Sequence, residues 1–140
     1  MARLDNRVNV DSIRGVLDGT FPGDLGIEPL AVDDDGATGR ILVDRRHLHP
    51  GGYVHGGVWT ALADTVAAWG TFRHLREGQD FTTVELKLNV FAAGREGDEL
   101  IARSEPQHIG GRTQVWLVRI TRDEKLVALF TLTQMVLAPA

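Results

Sequence analysis

The pattern of apolar and polar positions predicts helices in the first half of the chain. Apolar residues recur at helical spacing from Val8 to Leu17, with Asp11 and Ser12 as possible caps. Two short apolar runs then flank the turn sequence Asp33-Asp34-Asp35-Gly36, which predicts a β-hairpin. A long helix follows from about Gly57 to Leu75, and between Val58 and Trp69 its only charged residue is Asp64. A helix that is apolar on nearly every side is a buried helix.

After Gly78 the period changes to that of strands. Alternation places Val84, Leu86, Leu88 and Val90 on one face of the first strand. Three further runs follow, DELIARSEPQHI, RTQVWLVRITRD and KLVALFTLTQMVL, and the apolar density of the last predicts a strand covered on both faces. Asp123-Glu124 predicts a tight turn between the last two strands. One long helix against an antiparallel sheet is an α+β architecture.

Composition narrows the class of protein. A length of 140 residues suits one domain, and we expect residues 1–140 to form it. The net charge of -4 argues against a nucleic-acid partner. The absence of cysteine excludes disulfides, cysteine-ligated zinc and a cysteine nucleophile. There is no signal-peptide pattern and no apolar run near the ~20 residues that span a bilayer, so we expect a soluble cytoplasmic protein without membrane contact.

Asp64 is the residue that most suggests chemistry. A charge inside a buried helix costs several kcal/mol unless something compensates it. Its neighbours on the same helix face, Thr60, Ala61, Ala67 and Ala68, are small and leave room for a ligand or another backbone. Two interpretations stay open from position alone: a structural carboxylate at a subunit contact, or a base or nucleophile in a partly apolar pocket.

The glycines before this helix form a second candidate feature. Gly56 and Gly57 lie at the expected helix N-terminus, where backbone N–H groups are unpaired and the helix dipole is positive. Such N–H groups can stabilise a carbonyl oxygen that becomes negative during acyl transfer. A simple turn before a helix would show the same pair, so the pair gains weight only beside Asp64.

Three histidines, His47, His49 and His55, lie within nine residues and raise the question of a metal site. Their loop lacks helical or hairpin ligand spacing, so we predict no metal and no cofactor, and assign His55 to fixing the loop. The chain also lacks a Gly-x-Ser-x-Gly elbow, which argues against a serine hydrolase, and it has no glycine-rich phosphate loop of the P-loop or Rossmann type.

The segment HPGGYVHGGVWTALADT, residues 49–65, resembles the signature of hotdog-fold thioesterases of the PaaI type, which include the Arthrobacter-type 4-hydroxybenzoyl-CoA thioesterases. That signature has a glycine, two residues, His-Gly-Gly, and an acidic residue nine positions after the histidine. Gly52, His55, Gly56, Gly57 and Asp64 match it. Residues 88–133 also resemble the C-terminal sheet of the family. The resemblance implies a hotdog fold, in which the sheet wraps around the long central helix.

The resemblance also implies roles for individual residues. Asp64 would attack the thioester carbonyl or activate water, and the N–H of Gly56 would polarise that carbonyl. His55 would order the loop. His49 stands where the family has Asn or Gln, a departure that leaves its role open. A hydroxyl from the next strand would contact the water or acyl group, with Thr82 or Thr83 as the candidate, and Ala68 stands where some members carry Ser or Thr.

Assembly and coenzyme A contacts are further implications of the resemblance. Hotdog dimers join their sheets edge to edge, so that Gly56 and Asp64 of one site come from different chains, and dimers usually pair into a homotetramer. Gly57 would lie against the substrate. The phosphates of coenzyme A would meet surface cations, first Arg112 beside Gly111, then Arg95 and Lys87.

The sequence therefore predicts an acyl-CoA thioesterase for an aromatic or short-to-medium-chain acyl group. Two alternatives stay open. One is a hotdog hydratase or dehydratase acting on enoyl or 3-hydroxyacyl thioesters, although its His and carboxylate have a different spacing. The other is a non-catalytic acyl-CoA binder, because a pocket and a carboxylate do not establish a rate.

Overall fold

A computed structural model describes residues 3–139 and shows the predicted elements in the predicted order, with two additions that the sequence did not predict, a short helix at Phe21–Asp24 and a 3₁₀ turn at Arg45–His47. The helices are α1 (Val10–Leu17), α2 (Phe21–Asp24) and α3 (Gly56–Arg73), with a single 3₁₀ turn at Arg45–His47. The strands are β1 (Glu28–Asp33), β2 (Gly36–Leu42), β3 (Asp80–Val90), β4 (Glu99–Ile109), β5 (Thr113–Arg122) and β6 (Lys125–Leu137). None of the helices within residues 3–139 has the length and apolarity needed to cross a bilayer.

Helix α1 begins two residues later than its apolar pattern suggests, because Asn9 caps it. The Asn9 side chain accepts a hydrogen bond from the Ser12 N–H, and the Ser12 hydroxyl accepts one from the Asn9 N–H. This reciprocal pair satisfies two N–H groups that the helix itself leaves free. The cap is therefore Asn9 and not Asp11 or Ser12 as predicted, and Ser12 is its partner inside the helix.

The six strands form one antiparallel sheet in the order β1-β2-β4-β5-β6-β3. Both predicted hairpin turns are present. Asp123 and Glu124 have φ of 50° and 64°, the two positive values that a two-residue turn between twisted strands favours. Helix α3 packs across one face of this sheet, most closely against β2 and β4. The α+β hotdog architecture is thus confirmed.

Helix α3 packs closely on one face of the sheet. Its buried side chains, including Leu62, Val66 and Trp69, meet the inward residues of β2, β4, β5 and β6. Two glycines permit this approach. A Cβ on Gly39 of β2 would lie 2.7 Å from Val66 Cγ2, and one on Gly70 of α3 would lie 2.8 Å from the Trp116 ring. Larger residues at either position would push the helix off the sheet.

Strand β3 departs from the predicted alternation. A β-bulge lies between Thr83 and Glu85, so Val84 is the extra residue. Before the bulge Thr83 lies opposite the buried Gln134, and after it Leu86 lies opposite the buried Leu132. The bulge therefore places Thr83 and Leu86 on the same face of the sheet, and the prediction that Val84 shares a face with Leu86 is wrong.

Strand β6 is also less covered than its composition suggests. Ala128, Phe130 and Leu132 are buried, whereas Thr131 and Met135 on the opposite face are exposed. The prediction of a strand covered on both faces is wrong for the single chain, because α3 covers only one face of the sheet.

Candidate active site

Asp64 lies half-buried in the middle of α3, on the wall of a depression of about 340 Å³. The other walls come mainly from apolar residues of α1, α2 and α3, among them Leu17, Phe21, Ala68 and Phe72. The small residue Ala68 one turn along the helix leaves the space beside the carboxylate open. The arrangement is an acid group at the edge of an apolar pocket, which suits attack on an apolar acyl ester or thioester.

Thr83 ties this carboxylate to the sheet. Its hydroxyl oxygen lies 2.8 Å from Asp64 Oδ1 and 2.7 Å from Gln134 Oε1. Gln134 is fully buried, and its Nε2 has no hydrogen-bond partner among residues 3–139. Gln134 did not emerge from the sequence. The available signal was a polar residue in phase with the apolar, inward positions of β6.

The N-terminus of α3 forms a second depression, of about 390 Å³. Its lining includes Gly56, His49, Trp59, Val90 and Phe91. Gly56 is the first residue of the helix, is exposed, and has open space where a side chain would lie. Within residues 3–139 its N–H meets no acceptor, so this group is available to a ligand.

The three clustered histidines bind the backbone through Nδ1. His55 accepts from the Gly57 N–H at 2.8 Å and caps α3, His49 accepts from the Gly51 N–H at 2.9 Å, and His47 accepts from the Asp44 N–H at 2.8 Å. In the buried His47 ring, Nε2 then donates to the Leu25 carbonyl. No group of three metal-binding side chains occurs within residues 3–139.

Gly56 and Asp64 do not meet within one chain. Eight residues of α-helix separate them by about 12 Å along the axis. The two depressions have no lining residue in common. One carbonyl group cannot lie within hydrogen-bond reach of both groups in a single copy, because that requires each to be about 3 Å away.

The remaining predicted site residues fall outside these two depressions. Thr82 is exposed on β3 and lies opposite Met135, on the face away from Asp64. Lys87 is likewise exposed and lies opposite Thr131. The guanidinium of Arg95 lies 5.0 Å from the centre of the Tyr53 ring, beside the Gly56 depression.

The turn between β4 and β5 carries the last two predicted contacts. Gly111 and Arg112 are exposed there. Gly111 lines a smaller depression of about 180 Å³ together with His74 and Arg76. Of the two hydroxyls that the sequence suggested, Thr83 contacts Asp64 and Thr82 points away from it.

Comparison with known proteins connects this geometry to a family. Residues 51–129 match the thioesterase superfamily. A putative esterase from Haemophilus influenzae is 34% identical over 78% of this chain and 79% of its own length. The 1,4-dihydroxy-2-naphthoyl-CoA hydrolase from Listeria monocytogenes is 33% identical over 75% of this chain and 85% of its own.

Solved structures agree with the sequence match. A thioesterase from Haemophilus influenzae superposes with a TM-score of 0.85 at 30% identity, covering 93% of this chain and 91% of that one. A variant of the phenylacetic acid degradation protein PaaI from Thermus thermophilus gives a TM-score of 0.77 at 28% identity, covering 82% and 96%. The predicted resemblance is confirmed: the chain belongs to the thioesterase superfamily, with a hotdog fold similar to that of the PaaI proteins, and it is a thioester hydrolase.

Proposed function

We propose that the protein hydrolyses an acyl-coenzyme A thioester with an aromatic or short-to-medium-chain acyl group, with Asp64 as the attacking or water-activating carboxylate. The observation that carries the proposal is the position of Asp64: a half-buried carboxylate held by Thr83 on the wall of an apolar depression. The Listeria relative is named as a hydrolase of an aromatic acyl-CoA, which supports both the coenzyme A moiety and a flat acyl group.

A second copy of the chain would complete the site. Strand β3 lies at the edge of the sheet and exposes Val84, Leu86 and Val90, each at least 41% exposed. An apolar edge strand of this kind is stabilised by pairing with another strand. A two-fold axis through paired β3 strands makes the α3 helices antiparallel and brings the N-terminus of one towards the middle of the other. Gly56 of one chain would then face Asp64 of its partner.

The residues would act as follows. The Gly56 N–H and the positive end of the α3 dipole stabilise the carbonyl oxygen as it gains negative charge. Asp64 either attacks the carbonyl carbon or removes a proton from a water that does so. The carbon–sulfur bond breaks, the thiolate leaves and takes up a proton, and the acid is released. On the attacking route, water then hydrolyses the acyl–Asp64 anhydride.

The acyl group would lie in the depression beside Asp64, whose size and apolar walls suit a ring or a short chain. For the phosphates of coenzyme A, Arg95 lies beside the Gly56 depression, and Arg112 is exposed on the β4–β5 turn. Neither cation makes an ion pair with another side chain in residues 3–139, so both are free to meet an anion. We further propose a homotetramer of two such dimers in the cytoplasm.

The test is a panel of acyl-CoAs assayed with a thiol reporter. Wild type should release coenzyme A from at least one aromatic, short- or medium-chain member. Asp64→Asn and Asp64→Ala should lose at least ~10²-fold in kcat, the scale of one catalytic base. Asp11→Asn is the matched control, because its carboxylate is also on a helix but is 95% exposed.

Full activity of the two Asp64 variants would contradict the catalytic role. Hydration of crotonyl-CoA without thiol release would instead favour the hydratase, and tight binding of acyl-CoA without turnover would favour a binding protein.

A further inference from the structure

The Thr83 hydroxyl lies between two oxygen atoms that both require its proton. Asp64 Oδ1 is 2.8 Å away and Gln134 Oε1 is 2.7 Å away. A hydroxyl has one proton to donate and can accept further hydrogen bonds with its lone pairs. It can therefore bond only one of these oxygens, and the other contact requires a donor in place of an acceptor.

The carboxylate has the stronger requirement for the proton. An ionised carboxylate only accepts hydrogen bonds, and Asp64 must be ionised to act as nucleophile or base. The group of Gln134 that faces Thr83 must then be the NH₂. A 180° turn of the amide exchanges Oε1 and Nε2. It gives a partner to Gln134 Nε2, the one buried side-chain nitrogen or oxygen in residues 3–139 that has none, and it takes Oε1 away from Thr83, its one partner there.

We propose that Gln134 is a positioning residue for Asp64 and acts through Thr83; the proposal rests on the proposed function. The Gln134 NH₂ donates to Thr83 Oγ1, and Thr83 donates to Asp64 Oδ1. This chain fixes the carboxylate in one rotamer. Asp64 Oδ2 has no partner within residues 3–139 and stays free for the acyl carbonyl or water.

The sheet holds this chain of hydrogen bonds in a fixed geometry. Gln134 is fully buried on β6, between β5 and β3, where packing restricts its side chain. Thr83 is its direct partner across the β3–β6 pair, and the bulge after Thr83 turns that hydroxyl inward. Asp64 itself is on α3, so the chain locks the central helix to the edge of the sheet at the reacting group.

A double-mutant cycle tests the proposal. Thr83→Val should lower kcat roughly 10- to 100-fold, because valine has a shape similar to that of threonine but cannot make the charge-assisted hydrogen bond to Asp64. Gln134→Met should lower kcat roughly five- to tenfold with KM within about twofold, because the acyl pocket is untouched. In the Thr83→Val background, Gln134→Met should have no further effect, and Thr83→Ser should restore most of the rate.

Stability separates positioning from a merely structural role. Gln134→Met replaces a buried amide that lacks one partner with an apolar group of similar shape, so the Tm should stay within about 5 °C of wild type while kcat falls. If that variant does not fold, Gln134→Leu replaces it, since the inward neighbours on β6 are apolar.

The proposal is overturned if Gln134→Met or Gln134→Leu folds and keeps kcat within about twofold of wild type, or if the two kcat losses multiply in the double variant. Failure of the proposed function looks different. In that case wild type is inert on the whole panel, or Asp64→Asn is as active as wild type.

Discussion

Replacing Gly56 by proline removes one hydrogen-bond donor while leaving the fold in place. Proline has no backbone N–H, and the first position of a helix is where it is tolerated best. Gly56 is that first position in α3. The preceding residue, His55, has φ of -64° and ψ of 140°, the extended region that a residue before proline prefers. A Cβ at residue 56 would meet open space.

The expected loss in rate follows from the free N–H. If that group stabilises the carbonyl oxygen in the transition state, Gly56→Pro should lower kcat about 10²- to 10³-fold, the effect of removing one oxyanion donor. Gly56→Ala adds a similar Cβ but keeps the N–H, so the ratio of the two rates isolates the donor. The free energy of unfolding of both variants, measured in urea, should lie within about 1 kcal/mol of the wild-type value.

The same variant tests whether the site is shared between two chains. Gly56→Pro and Asp64→Ala are each nearly inactive alone. After mixing and exchange of subunits in a 1:1 ratio, half the dimers carry one of each chain. If Gly56 of one chain serves Asp64 of the other, one site in each mixed dimer is intact, and about a quarter of wild-type activity returns.

Two results would refute this reasoning. Mass spectrometry would show whether the mixture contains mixed dimers. If it does and no activity returns, Gly56 of one chain does not serve Asp64 of the other. A Gly56→Pro variant that folds and turns over as fast as Gly56→Ala would mean that this N–H does not contact the reacting carbonyl.

Four further outcomes are expected. Ala68→Leu adds three carbons to the depression beside Asp64. At about 0.8 kcal/mol per methylene, it should lower the ratio of kcat/KM for octanoyl-CoA to kcat/KM for butyryl-CoA by up to about 60-fold. Ala31→Leu is the control, and equal losses for both substrates would contradict the prediction. Gly39→Ala should lower the free energy of unfolding by about 1–3 kcal/mol, because its Cβ would lie 2.7 Å from a helix side chain; an unchanged urea midpoint would show that α3 can shift without loss. His55→Ala should lower the free energy of unfolding by about 1 kcal/mol, and His55→Asn should restore the cap and the stability. Failure of asparagine to restore stability would show that the histidine ring has a further role. Prolonged treatment with EDTA should leave kcat unchanged, and a loss that zinc restores would disprove the absence of a metal.

Local rules were enough for the order of elements because the relevant signals are local. The apolar run of α3, the Asp-Gly turn before Gly36 and the Asp123-Glu124 turn each depend on a few adjacent residues. The spacing from His55 to Asp64 marked the family for the same reason, because both groups belong to one loop–helix segment. These expectations agree with the structure and with the comparisons.

The predictions for β3 and β6 were wrong because they depend on contacts with distant segments of the chain. Alternation alone put Val84 with Leu86, but pairing with β6 placed a bulge there and turned Thr83 inward. Composition alone suggested that β6 is covered on both faces, but α3 packs on one face only, and Thr131 and Met135 on the other face are exposed. Neither effect is visible in one strand, because both depend on what the neighbouring element offers.

The sequence by itself determined the α+β class, the buried helix with a single carboxylate, and the glycine pair at the helix start. Only the tertiary structure decided what surrounds that carboxylate. In the folded chain Thr83, and not Thr82, contacts Asp64. Gln134, which is 51 positions after Thr83 in the sequence, contacts the Thr83 hydroxyl, and α1 and α2 form much of the apolar depression. The physical reason is that hydrogen-bond partners and pocket walls are set by sheet register and packing between distant elements, whereas helices and turns follow from neighbouring residues.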